Sequence, residues 1–156
     1  MTAEHILHSI PSFSQLSPED FDALVVALDV REYAAGHTFI KEGKRGDHVY
    51  VIIDGEIKVV REQYAAETLN RLGRGDLFGL LALVDNEPRS ATCRATTRCT
   101  VGTWPTTVTR ALFHRHAAIA FAFQQALAVQ LTRDFRQLDA RVRDRLGARW
   151  AVTPDR

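Results

Sequence analysis

Eight of the nine glycines fall between residues 36 and 102, and Gly147 alone lies outside that window. Glycine lets a chain turn sharply through positive φ, so a glycine-punctuated centre between glycine-poor flanks reads as a β-rich middle with helical ends. The runs between the glycines agree. Val49-Tyr50-Val51-Ile52-Ile53 and Glu56-Ile57-Lys58-Val59-Val60 are rich in β-branched residues and are joined by Asp54-Gly55. That dipeptide is the strongest short-range signal for a two-residue type I′ hairpin turn, so a hairpin is expected there. Further strands are predicted over 38–41, 68–72, 77–78, 92–95 and 100–104. Six to eight short strands with glycine turns suit a small antiparallel barrel or jelly roll. A chain of 156 residues, 46% of them hydrophobic, is long enough for one domain with a real core.

The flanks carry helical signals. Ser17 can cap, Pro18 suits the first helical position, and Glu19 and Asp20 oppose the helix dipole. Phe21, Leu24, Val25 and Leu28 follow at helical spacing, which predicts an amphipathic helix over 18–28. Before it, Ile6, Leu7, Ile10 and Phe13 mark a short helical or turn segment that packs down. Pro105 closes the strands, 106–114 can form a short helix, and 117–146 contains neither Gly nor Pro. Within that stretch Phe121, Gln124, Ala128, Leu131, Phe135, Leu138 and Val142 alternate in steps of three and four, a heptad seam. A helix of that length extends about 45 Å, more than a small barrel can cover. A parallel homodimer through 117–146 is therefore expected, with folding back onto the chain's own barrel as the alternative. Residues 147–156 are expected to be a short tail, too short for an output domain.

Charge separates along the same boundary. Residues 1–104 hold 11 Lys and Arg against 15 Asp and Glu, whereas residues 105–156 hold 9 against 4. The basic excess lies mainly on the long helix, where interleaved aspartates make a solvated face the simpler reading than a nucleic-acid surface. No long apolar run and no signal-peptide layout occur, so a cytoplasmic protein without a membrane segment is expected. Cys93 and Cys99 are too few for a disulfide framework, a four-cysteine metal site or an iron–sulfur cluster. His114 and His116 are two apart and do not share a helix face, and His5 and His8 lack a third ligand nearby, so no metal is expected. There is no nucleophile elbow, acid/base carboxylate pair or P-loop, so neither catalysis nor a cofactor is expected.

The stretch richest in chemistry is Gly75 to Thr92. A strand ends at Phe78, and Gly79 lets the backbone approach a ligand closely. Leu80, Leu81, Ala82, Leu83 and Val84 suit one helical turn whose first N–H groups lack partners, a ready anion site. Pro88 stiffens the following turn, and Arg89 offers a planar fork of donors matched to phosphate oxygens. Ser90 adds a hydroxyl, and the small Ala91 lets its backbone N–H come near, just before Thr92. Donors, dipole and one cation converge on a single small anion.

Ordered motifs along nearly the whole chain resemble the cyclic-nucleotide-binding domain of catabolite-activator-like regulators, protein kinase A regulatory subunits and cyclic-nucleotide-gated channels. They are Phe13 with Leu16-Ser17-Pro18-Glu19-Asp20, Gly36 to Gly43, Gly46-Asp47-His48-Val49-Tyr50-Val51-Ile52 with Gly55-Glu56, Leu72 to Gly79, and Pro88-Arg89-Ser90-Ala91-Thr92. The resemblance implies an α+β, mainly β fold over 1–146: an eight-stranded antiparallel β-roll (a jelly roll, or double-stranded β-helix) over about 30–104, with an N-terminal helix and a long C-terminal helix. It further implies that Arg89, Ser90 and the Ala91 N–H hold a cyclic phosphate within a cassette of Gly79, Leu80, Leu81, Ala82 and Thr92. Thr132, Asp134 and Phe135 of the long helix are the implied base contacts, although Phe135 equally fits the dimer seam.

One departure stands out. Where the family has a glutamate that accepts the ribose 2′-hydroxyl, this chain has Leu80. Loss of a charged acceptor costs about 1.5–3 kcal/mol, on the order of 10–150-fold in affinity. The expectation is a stand-alone, non-enzymatic regulatory module that binds a cyclic nucleotide weakly. Ser90 after the arginine leans it toward cAMP over cGMP, and its signal passes through the long helix to a protein effector in trans or to the dimer, without direct DNA binding. The alternatives are a nucleotide-independent interaction module, and a sensor fragment of a helix-turn-helix regulator.

Overall fold

The computed structural model describes residues 1–64 and 67–150. Three short helices open the chain, α1 (Ala3–Ser9), α2 (Pro11–Ser14) and α3 (Pro18–Val26). The α3 start forms as its residues dictate: Ser17 Oγ accepts the Asp20 N–H at 3.2 Å, with Pro18 in the first turn. The helix stops at Val26, two residues before the expected limit, where the Leu28 N–H turns back to the Val25 carbonyl at 3.1 Å.

Eight strands follow: β1 (Asp29–Tyr33), β2 (Thr38–Ile40), β3 (His48–Asp54), β4 (Ile57–Arg61), β5 (Glu67–Leu72), β6 (Leu77–Phe78), β7 (Thr92–Ala95) and β8 (Cys99–Pro105). They form two four-stranded antiparallel sheets, ordered β1-β8-β3-β6 and β2-β7-β4-β5. The two orders match position by position, so each strand of one sheet continues round a corner into its counterpart in the other. This is the eight-stranded β-roll that the sequence implied.

The corner geometry corrects one expectation. Asp54-Gly55 is not a hairpin turn, because β3 pairs with β8 and β6 whereas β4 pairs with β7 and β5. The turn instead carries the chain from one sheet to the other. The neighbouring corner lies tight against it: the Glu56 N–H donates to Thr97 Oγ1 at 3.0 Å, and the Thr96 N–H donates to the Glu56 carbonyl at 2.9 Å. Gly55 sits at φ +98°, and a Cβ there would lie 2.7 Å from the Arg98 carbonyl oxygen. Edge strand β1 was not recognised as a strand from sequence. Asp29 to Glu32 are all exposed, so no apolar alternation marks it.

Strand β3 is apolar on both faces for a structural reason. Val49, Val51 and Ile53 face the helical layer with Phe13, Leu24 and Trp104, while Ile52 faces the interior of the roll with Ile57, Phe78 and Val101. Trp104 is fully buried, and its indole N–H donates to the Leu24 carbonyl at 3.0 Å. That bond fixes α3 on the outer face of the roll.

Helices α4 (Thr106–Arg115) and α5 (Ala117–Trp150) complete the fold. Helix α5 continues past the expected limit at Leu146, and Gly147 is tolerated within it between helix-forming Arg145, Leu146 and Ala148. The tail beyond Trp150 lies outside the described residues. The first turns of α5 dock through Ile119, Ala122 and Phe123, with Phe123 against Phe13, Phe113 and Trp104 at centroid distances of 5.2, 5.4 and 5.5 Å. His116 alone separates α4 from α5. Its N–H donates to the Leu112 carbonyl at 2.7 Å, and its Nδ1 lies 2.6 Å from Asp20 Oδ1 on α3. Among the described residues no helix is long and apolar enough to cross a membrane.

Because Gly55 combines positive φ with contact to a neighbouring backbone, Gly55→Ala is expected to lower unfolding free energy by about 1–3 kcal/mol in urea titrations.

Candidate functional site

Residues between Phe78 and Ala91 contribute to one pocket. Strand β6 ends at Phe78, and Gly79 takes φ +79° as the first residue of a single 3-10 turn over Leu80–Leu83. A Cβ at Gly79 would press on the His48 carbonyl oxygen at 3.0 Å, so glycine is required both for the conformation and for the close approach of β3.

Arg89 lies opposite. Its own backbone is tied into the loop after β2, donating to the Lys44 carbonyl and accepting from the Gly43 N–H, both at 2.8 Å. The guanidinium reaches inward, where Nη1 donates to the Gly79 carbonyl at 3.0 Å and Nη2 to the His48 carbonyl at 3.2 Å. Nε is buried without a hydrogen-bond partner among the described residues. A Cβ on Gly46 would overlap this guanidinium, which explains the glycine at that position. No ion pair involving Arg89 is found among the described residues, although Asp47 and Asp85 exert a weak favourable field. Burial pulls its pKa below the usual arginine range, and the same burial pushes the neighbouring Tyr50 hydroxyl up to about 12. A guanidinium is nevertheless protonated at neutral pH. Arg89 is a half-buried cation satisfied by carbonyl dipoles and, among the described residues, without a bonded counter-charge, an arrangement suited to receive an anion.

A cavity of about 310 Å³ extends from Arg89 between the roll and α5. Gly79, Leu80, Leu81, Ala82, Ser90 and Ala91 line it as expected. Leu80 is only 3% exposed and packs on the helical core, so the cavity receives no acceptor from that position. Thr92 departs from the expectation. It is fully buried away from the cavity, and its hydroxyl accepts the Glu42 N–H at 3.0 Å.

The α5 side also differs. Of the three helix residues implied as base contacts, only Asp134 lines the cavity. Thr132 is exposed, with its hydroxyl donating to the Ala128 carbonyl at 2.8 Å, and Phe135 is 70% exposed. The cavity-facing line steps through Leu127, Gln130, Leu131 and Asp134. Thr132 and Phe135 point elsewhere because each residue advances about 100° round the helix. Sequence reasoning missed Leu127 and Gln130 and placed Leu131 in the seam, although all three lie at helical spacing from Asp134. Burial raises the Asp134 carboxyl above its ordinary range, partly offset by Arg133.

Cys93 lines the inner end of the cavity, where desolvation pushes its thiol up to about 12. At pH 8 a thiol of that pKa is about one part in ten thousand thiolate. Cys93 is therefore expected to resist iodoacetamide in the native protein and to react on unfolding. Prompt native-state labelling at Cys93, mapped by mass spectrometry, would contradict this burial.

Comparison with known proteins agrees with this geometry. The family model described as the cyclic nucleotide-binding domain matches residues 30–116. A cAMP-dependent protein kinase regulatory subunit of Mycosarcoma maydis is 38% identical over 93 residues, covering 59% of this chain and 18% of that protein. The chain thus spans about a fifth of that relative's length. The Thermus thermophilus catabolite activator protein superposes with a TM-score of 0.70 at 29% identity, covering 88% of this chain and 63% of that one. The regulatory domain of Toxoplasma gondii PKA, crystallised with cAMP, gives a TM-score of 0.64 at 27% identity, covering 70% and 42%.

Proposed function

Because this chain belongs to the cyclic nucleotide-binding domain family, we propose that it is a regulatory module that binds a cyclic nucleotide in the Arg89 cavity and signals through α5. The observation that carries this reading is the half-buried Arg89 guanidinium, held by two carbonyls and unpaired with any carboxylate among the described residues, at the end of a cavity of about 310 Å³. A cyclic phosphate supplies the missing charge through charge-assisted hydrogen bonds. Ser90 and Ala91 line the same cavity.

The ligand preferred is cAMP over cGMP. Ser90 favours it by family resemblance, and regulatory subunits named for cAMP dependence lie among the relatives. Affinity is reduced because Leu80 offers no acceptor to the ribose 2′-hydroxyl. Ligand closes against Leu127, Gln130, Leu131 and Asp134, so binding biases the position of α5 to the extent that the two helix arrangements differ in affinity. The role is regulatory and non-catalytic, with the signal passed to a partner in trans.

Thermal unfolding with cAMP and with cGMP tests this directly. Ligand at 100 times its dissociation constant is expected to stabilise the protein by about 2.7 kcal/mol. Arg89→Ala is expected to abolish the effect, and Leu80→Glu to tighten binding by about tenfold or more. Because Leu80 packs on the helical core, affinity rather than ligand-free stability is the readout for that variant. Absence of any shift with both nucleotides, in wild type and in Leu80→Glu alike, would overturn the reading.

The apolar stripe of α5 supports homodimerisation as part of the same output. Phe121, Phe135 and Leu138 are 60%, 70% and 60% exposed, and with Val142 they form one seam. Sedimentation at micromolar concentration is expected to show a dimer. A species of 17.5 kDa alone would rule this out.

A further inference from the structure

A second cavity of about 370 Å³ lies beside the first, bounded by the α1–α2 junction, the corner between β5 and β6, and α5. Leu72, Gln130 and Asp134 line both cavities and form the wall between them. Its volume is in the range of small-molecule sites, and its surface combines apolar walls (Ile10, Leu77, Val129) with a few convergent polar groups.

Those polar groups are incompletely used. Ser12 Oγ and Gln130 Oε1 are both buried without a hydrogen-bond partner among the described residues. Two buried orphans at one cavity are uncommon, since such groups ordinarily find protein or ligand partners. Three arginines, Arg71, Arg74 and Arg133, face two aspartates, Asp76 and Asp134. Arg71 and Arg74 are committed to Glu56 and Asp54, each at 2.5 Å. Arg133 stands 3.8 Å from Asp76 Oδ1, beyond hydrogen-bond distance, so its planar fork remains open to an anion.

We propose that this second cavity binds a nucleotide-sized organic anion, with its charged group on Arg133 and a hydrogen-bond-donor edge on the Gln130 carboxamide oxygen beside the Ser12 hydroxyl. The site lies beside the Arg89 cassette, shares the wall of Leu72, Gln130 and Asp134 with it, and takes its charged group on a different arginine.

Adenosine 5′-monophosphate is a suitable probe, because it carries a phosphate for Arg133 and an exocyclic amino group for Gln130. Isothermal titration into the full chain is expected to show binding. Arg133→Ala and Gln130→Leu should each weaken it by about tenfold or more. Val129→Trp, at a half-exposed position on the cavity rim, should block it while leaving the fold intact. In Arg89→Ala the affinity for this probe should be unchanged. Binding lost in Arg89→Ala yet kept in Arg133→Ala would place the probe in the cassette and overturn the proposal. Absence of binding at millimolar concentration in wild type would overturn it too. Failure of the cassette reading registers separately, as the lack of stabilisation by either cyclic nucleotide.

Discussion

A single guanidinium organises this molecule. Arg89 crosses the mouth of the roll to bond the carbonyls of Gly79 and His48, so the loop after β6 and the start of β3 are joined through one side chain. Its backbone, bonded to Gly43 and Lys44, ties in a third segment. Removing a charge from water to this depth is costly unless it is paired, and carbonyl dipoles offset only part of that cost. The unmet remainder is what suits the cavity to an anion, so stability and the proposed recognition draw on the same residue. Gly46 and Gly79 follow from that placement, since each yields the space that the guanidinium or its partner strand occupies.

Much of this was legible beforehand because the relevant signals are local. The Ser17-Pro18 helix start, the strand-ending Phe78-Gly79 and the run from Pro88 to Ala91 each act within a few residues. What was not legible is decided by partners distant in the chain. Asp54-Gly55 has the chemistry of a hairpin turn, and the local chemistry is right about positive φ. It says nothing about which strands lie alongside, and β8 and β7 take the places that β3 and β4 would have given each other. Strand β1 is held by pairing to β8 alone and carries no apolar alternation. Of the α5 residues implied by resemblance, Asp134 lines the cavity whereas Thr132 and Phe135 lie off that line, because spacing along a helix does not give the rotation that docking sets.

That rotation divides α5 by function along its length. Ile119, Ala122 and Phe123 are core residues in every sense, fully or almost fully buried against the N-terminal helices. Leu127 to Asp134 close over the cavities. Beyond them Phe135, Leu138 and Val142 stand exposed, while Arg141 reaches back to the Leu69 carbonyl at 2.6 Å. One continuous helix therefore joins a buried anchor, a cover over the cavities and an exposed apolar stripe.

The break at His116 gives that continuity a mechanical meaning. A helix of 34 residues is a stiff rod about 50 Å long, pivoted at one residue whose imidazole is pinned to Asp20. A tilt of about 10° at such a pivot displaces the far end by about 9 Å, while residues two turns from the pivot move by less than about 2 Å. The long arm is thus a lever: an adjustment small enough for a packed interior to absorb arrives at its tip as a displacement approaching the width of a helix.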